Sequence, residues 1–592
     1  MNKDQPLTLD AVRDAYDRGA TPSDIVSEVY RRIEAIGDPA IFLHLRPIDD
    51  VLTEAETLAP RSPAQPLWGV PFVAKDNIDV AGIPTTAACP AYAYLPSKDA
   101  FVIAQLRAAG ALVIGKTNLD QFATGLVGVR SPYGVPKNAI DPAIVPGGSS
   151  SGSGVAVGHG FVSFSLGTDT AGSGRVPAAL NNIVGLKPSL GALSATGVVP
   201  ACRTLDTISI FAATVKDAFA VFQVACAKDD ADAYSKPIQP GRLIRPQGAV
   251  KIGVPDAGSR IFFGDGVQAA SFDASLDRLR ALGADVIPMD FSPLYAVADM
   301  LYDGAWVAER YTVVEDLMRD APDALHPTTA HIIGAAQKLS AADAFRGLYR
   351  LKELEAAAHA IMDAVDMLCV PTIPTFYSIA DLERDPVVPN SNLGTYTNFV
   401  NLLDMCGIAV PTAARSDGRP GSVTLLANSG QDALIASMAA AIGNEDVATA
   451  PAGALDTEFT IAVCGAHMSG MALNHELTAR GGRLLDVTRT APHYRLYALA
   501  GGPPQRPGLL RSESGTKIDL EVWALPKATL GSFVEGIPAP LSIGTVELEN
   551  GATAHGFLVE NAGIRGAQDI SDLGSWRVFQ RQSQQAQPAH TG

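Results

Sequence analysis

Residues 147–180 read GGSSSGSGVAVGHGFVSFSLGTDTAGSGRVPAAL, two Gly/Ser clusters on either side of the apolar run VAVGHGFVSFSL. No other stretch limits the fold so strongly. A flexible linker would be Gly/Ser throughout and would not enclose an apolar run. A phosphate loop requires Gly-Lys-Ser/Thr at its end, and no Lys stands there. The span therefore reads as buried structure joining two Gly/Ser turns that carry chemistry.

A serine becomes a nucleophile only when a base takes its proton and donors stabilise the oxyanion. Gly-rich turns bring backbone N–H groups close to a substrate because no Cβ blocks the approach. TDTAGSGR would set Ser173 in such a turn, with the amides of Thr170, Ala171, Gly172 and Ser173 aimed at one oxygen. GGSSSGSG would place a second hydroxyl beside it. Gly148–Gly152 fits GxSxG, but its flanks do not form a strand-to-helix elbow, and no histidine stands out as partner. A lysine can serve if burial lowers its pKa. Lys75, at the end of the apolar strand GVPFVAK, is the candidate. From these residues alone, a surface lysine and two Gly-rich loops stay open as the alternative.

The chain has 592 residues, 47% of them apolar, and no uninterrupted apolar run of 18, which suits two or three globular domains and no membrane span. The N-terminus has no apolar h-region, so no secretory signal is expected. A net charge of −17 argues against nucleic-acid or anionic-membrane partners, and an anionic substrate would need a local positive anchor. Six cysteines without a CxxC pair predict reduced, buried thiols in a cytoplasmic protein. His475-Glu476 does not complete HExxH because Ala479 replaces the second His, so no metal is assigned.

Apolar spacing predicts a helical arm over residues 1–60, from TLDAVRDAYDRG and TPSDIVSEVYRRIEAI, packing on the core or on a second subunit. Buried strands are predicted at WGVPFVAKDNIDV, ALVIGKTN, VKIGVPD and ADVIPMDF, alternating with helices at DAFVIAQLRAAG and AASFDASLDRLRALG. That rhythm makes residues 1–445 a mixed α/β domain. GNEDVATAPAGALDTEF breaks the periodicity, so residues 446–457 read as a linker and 458–592 as a small β-rich α+β domain. The last dozen residues, RQSQQAQPAHTG, read as a frayed tail.

PFVAKDNIDVAGIPTTAAC, PGGSSSGSG and LGTDTAGSGRVPAALNNIVGLKPS, in that order, strongly resemble the amidase signature family over roughly residues 25–445. The resemblance implies a mixed-sheet core covered by helices and a Ser–cis-Ser–Lys triad. Ser173 would be the nucleophile, Ser149 the bridging serine at a cis peptide, and Lys75 the base. The sequence departs from the family at Ser151, where Gly is common, and at Ala171 and Gly174, where Gly and Ile are common. No catalytic group is lost.

LYDGAWVAERY places Tyr302 and Arg310 eight residues apart on an apparent helix, about 80° apart around its axis. Arg310 offers a bidentate fork for a carboxylate; the plainer reading is a surface Arg pairing with Asp303, Glu309 or Asp316. This segment together with the β-rich tail resembles the allophanate hydrolases. That resemblance implies hydrolysis of allophanate, with Tyr302 and Arg310 on its carboxylate and backbone contact from Gly125 in FATGLVG. It also implies no cofactor, a homodimer, assembly with other urea- or cyanurate-degrading enzymes, and a γ-glutamyl-cyclotransferase-like C-terminal domain. There His467 is a candidate for processing the first product, N-carboxycarbamate, while a histidine satisfied in a structural turn stays equally open. A broad-specificity small-amide amidase or an amidotransferase A-like subunit is the alternative.

Overall fold

The computed structural model describes residues 5–244, 250–302, 304–447 and 458–585. Eleven strands form one sheet: β1 (Phe42–Leu45), β2 (Pro71–Lys75), β3 (Leu112–Thr117), β4 (Phe164–Asp169), β5 (Val184–Lys187), β6 (Thr207–Ala212), β7 (Lys251–Pro255), β8 (Asp285–Met289), β9 (Met367–Pro371), β10 (Met405–Thr412) and β11 (Gly421–Asn428). Their order across the sheet is β1-β3-β2-β4-β6-β5-β10-β11-β9-β7-β8. Every residue of β2 through β6 is buried, as expected of strands covered on both faces by helices. This is a large mixed sheet, because β3, β2 and β4 run parallel while β6, β5, β10 and β11 pair antiparallel.

The parallel trio matters most for function. Lys75, Thr117 and Asp169 are the last residues of β2, β3 and β4, so the loops after them open at one end of the sheet. Ligands of open α/β sheets gather at that carboxyl end.

The arm differs from its sequence reading in one respect. Helices Leu9–Asp17, Pro22–Ile36 and Ile48–Glu56 are present, but Phe42–Leu45 is a strand paired antiparallel with β3. Four residues with His44 among them carry too weak a pattern to stand out between helices. The arm packs on its own core: Leu9, Val12, Ile25, Val26 and Val29 are each at most 1% exposed. Each such burial contributes about 1.5–3 kcal/mol relative to exposure.

The chain divides into two compact units, Met1–Val447 and Ala448–Gly592. In the second, β13 (Arg483–Arg489), β16 (Asp519–Pro526), β12 (Glu458–Val463), β18 (Thr553–Val559) and β17 (Leu541–Glu547) form a five-stranded sheet in that order. A three-stranded sheet of β15 (Pro507–Arg511), β14 (Tyr494–Ala498) and β19 (Gln568–Asp569) joins it around a core centred on Trp523, Tyr494 and Trp576. The expected tail is shorter than read: helix Trp576–Gln585 runs through its first five residues, anchored by buried Trp576 and Phe579. The rest of that tail, and residues 448–457 of the expected linker, lie outside the described residues.

Candidate active site

Lys75 is fully buried at the end of β2. Its Nζ lies 2.8 Å from Ser149 Oγ and donates to Thr168 Oγ1 at 2.6 Å. Burial pushes the ammonium down to about 7, against the pull of Asp120, Asp206 and Asp169. Ser149 follows a cis peptide from Gly148 and precedes the helix Ser151–Gly158. The other serines of this cluster serve as cross-links: Ser150 Oγ donates to Thr168 O, Ser151 Oγ to Asn118 O, and Ser153 Oγ to Leu166 O.

Ser173 sits in the turn after β4, 2% exposed, and its hydroxyl has no protein hydrogen bond among the described residues. The turn is held by Asp169, whose carboxylate takes a bidentate pair from Arg175 (3.0 Å each) and the N–H groups of Gly172 (3.0 Å) and Gly174 (2.9 Å). Of the four amides expected to face an oxyanion, Gly172 is therefore excluded, because Asp169 consumes its N–H. Among the described residues, no hydrogen bond takes up those of Thr170, Ala171 and Ser173. Gly172 is required for another reason. It has φ +126°, and a Cβ there would lie 2.5 Å from Thr397 Oγ1.

Arg310 lies in the helix Ala305–Asp320, 2% exposed. Tyr302 closes a separate short turn, Asp299–Tyr302, and Gly304, at φ +97°, breaks the single helix expected from the sequence. The two still meet, with the guanidinium 5.6 Å from the Tyr302 ring centroid. The surface ion pair is absent among the described residues: Glu309 binds Thr204, Asp316 pairs with Arg319, and Asp303 lies outside them. Arg310 makes one long hydrogen bond, Nη1 to Thr124 Oγ1 at 3.4 Å, and its buried Nε has no acceptor among the described residues. Next to Thr124, Gly125 has no room for a side chain, since a Cβ would lie 2.5 Å from Asp120 Oδ2. Asp206 is within electrostatic reach of both Lys75 and Arg310.

Three residues went unseen in the sequence. Thr168 fixes Lys75; Asp120 receives the N–H of Gly128 and Arg130 and donates its own N–H to Ser149 O; Asp206 accepts from the Thr170 hydroxyl. Only Asp120 had a local signal, standing two residues after the Thr-Asn that ends ALVIGKTN.

In the second unit, His467 Nε2 lies 3.0 Å from Glu476 Oε2 and its ring stacks on Phe557 at 5.0 Å. It lines a pocket with Arg506, Cys464, Pro507 and Leu541, and burial lowers its pKa against the pull of Glu476. All six cysteines are free, five of them buried.

Residues 24–435 match the amidase family. The chain belongs to that family. As an amidase it carries a second match, residues 459–581, to the allophanate hydrolase C-terminal domain. It is 42% identical to the urea amidolyase of Saccharomyces cerevisiae over 87% of this chain, and spans only 30% of that protein. The allophanate hydrolase of Kluyveromyces lactis is 38% identical and superposes with a TM-score of 0.72, covering 96% of this chain and 98% of that one. The A-type subunit of the glutamyl-tRNA(Gln) amidotransferase of Nitratidesulfovibrio vulgaris is 33% identical over 73% of this chain and 95% of that protein. Among the described residues, no helix of this amidase is long and apolar enough to cross a membrane.

Proposed function

We propose that the chain hydrolyses allophanate, H2N–CO–NH–COO⁻, and that one observation carries the reading. Arg310 is a buried guanidinium with no carboxylate partner among the described residues and an unused Nε. Asp206 and Glu309 act on it at longer range, but its guanidinium donors are left largely unpaired, so an anion that accepts them is expected to complete the site. The substrate carboxylate supplies that anion, with the Tyr302 ring against the guanidinium and the Gly125 backbone beside it. The relatives named urea amidolyase and allophanate hydrolase, together with the two family matches of this chain, support the same substrate.

In this scheme Ser173 Oγ attacks the terminal carboxamide carbon. Neutral Lys75 donates to Thr168 and accepts the Ser149 proton, while Ser149 takes that of Ser173; the proton then goes to departing ammonia. The amides of Thr170, Ala171 and Ser173 face the oxyanion, each worth roughly 3–4 kcal/mol. Water cleaves the acyl-enzyme to N-carboxycarbamate. His467, in a pocket shared with Arg506, is proposed to act on that product as it breaks down to CO2 and ammonia. A cytoplasmic setting is supported by the free thiols. A homodimer is supported by an exposed apolar stripe of Phe345, Leu348 and Tyr349.

The test is ammonia release from allophanate, urea, biuret, malonamate and a simple aliphatic amide. Wild type should prefer allophanate strongly, Ser173→Ala should release almost no ammonia, and Arg310→Lys should lose the preference through a higher KM, because the fork is gone. Equal turnover of the aliphatic amide, unaffected in Arg310→Lys, would mean a general amidase.

A further inference from the structure

Arg310 is held weakly by its own contacts, yet a carboxylate anchor must stand at a fixed distance from the oxyanion turn. Its helix, Ala305–Asp320, has no side-chain cap and follows Gly304 at φ +97°. Its apolar face, with Ala305, Trp306, Val307 and Val314 buried, seats it on the core, and a polar tie adds to that packing. The neighbouring Glu309 reaches back to the loop after Val199, where Oε1 accepts Thr204 N–H at 2.8 Å and Oε2 accepts the Thr204 hydroxyl at 2.7 Å. From the same loop, Cys202 Sγ donates to Trp306 O, one turn earlier on the helix, at 3.4 Å.

The loop is also tied to the catalytic turn. Asp206 accepts Ala201 N–H at 2.7 Å and Cys202 N–H at 3.1 Å, and also the hydroxyl of Thr170, the first residue of the oxyanion turn. Asn401 Nδ2 donates to both Leu205 O and Asp169 O at 2.9 Å, clamping loop and turn together. Two sets of hydrogen bonds, Glu309 to Thr204 and Asp206 to Ala201, Cys202 and Thr170, are thus joined through the backbone of residues 201–206. Thr204 is solvent-exposed, so its paired bonds to Glu309 form in competition with water.

We infer that the Glu309–Thr204 pair is a positioning strap that fixes the span between the Arg310 guanidinium and the oxyanion turn, and so selects amides by the distance from scissile carbonyl to carboxylate. The inference rests on the proposed role of Arg310. Allophanate and malonamate share one span, with a single NH or CH2 between carbonyl and carboxylate; succinamate is one methylene longer. A rigid strap favours the first two, and a loosened one tolerates the third.

The experiment measures kcat and KM for malonamate, succinamate and propionamide with wild type, Glu309→Ala, Thr204→Val and Thr204→Ser. Wild type should prefer malonamate. Glu309→Ala and Thr204→Val should reduce that preference about tenfold, a typical loss for a modest positioning change, mainly through KM for malonamate. Thr204→Ser, which keeps the hydroxyl and the N–H, should restore it. An unchanged preference in Glu309→Ala, or equal losses on both substrates, would overturn the strap. A wild type with no preference for carboxylated amides over propionamide would instead overturn the Arg310 reading itself.

Discussion

At the scale of single residues the centre of the site is a lysine whose burial sets its chemistry. With its ammonium pushed down to about 7, Lys75 is charged below that pH and neutral above it. Only the neutral amine accepts a proton from Ser149. We therefore expect kcat/KM to climb as pH rises through about 7 and then level off, reporting the base of the free enzyme. A profile flat across that region would exclude Lys75 as the titrating base. That Lys75, Ser149 and Ser173 are buried near the ends of β2 and β4 agrees with the roles the family resemblance implied for them, which the local pattern alone had left open. Thr168, Asp206 and Glu309 were not legible in the sequence, because their roles depend on partners far along the chain: Thr168 meets Lys75 across β2 and β4, and Glu309 meets Thr204 across a helix and a loop. Arg310 was legible as a residue but not as a buried one, since nothing local distinguishes it from an exposed arginine.

At the scale of elements, the turn after β4, proposed to face the oxyanion, is a short loop whose shape is dictated from below by Asp169 and from the side by Thr397. The Thr397 hydroxyl donates to Ala171 O at 2.6 Å and leaves no space for a Cβ on Gly172. Gly172→Ala should therefore displace the amides of Ala171 and Ser173. We expect kcat to fall by about 10²-fold or more, the cost of losing one oxyanion donor, with KM changed much less. Circular dichroism and the melting temperature would show whether the fold survives; equal kcat in a folded variant would argue against this turn as the oxyanion site. WGVPFVAKDNIDV, ALVIGKTN and VKIGVPD were readable as buried strands, and so were the helices DAFVIAQLRAAG and AASFDASLDRLRALG. ADVIPMDF, read as buried, is instead the partly exposed edge strand β8, because among the described residues no further strand covers its outer side. The interruption at Gly304 was not readable, because apolar spacing continues across it, and only the positive φ shows that Tyr302 and Arg310 belong to different elements. Along β13 and β17, partial exposure blurs the alternation that marks a strand.

At the scale of the whole molecule, two units with separate cores invite a division of labour. If His467 acts on N-carboxycarbamate, His467→Ala should release the first ammonia at the wild-type rate while CO2 release lags behind it. Simultaneous CO2 and ammonia traces would separate the steps, and unchanged CO2 timing would return His467 to a structural role beside Phe557. In the first unit, β1 covers β3, all six residues of which are buried. Without β1, β3 would present a row of unpaired backbone groups along an apolar strand, a ready template for joining another chain. The opposite margin is protected differently, by Asp285 and Pro288 in β8, which discourage such pairing. The four residues least visible in the sequence thus close an edge at which the sheet could otherwise be extended by a strand from another chain.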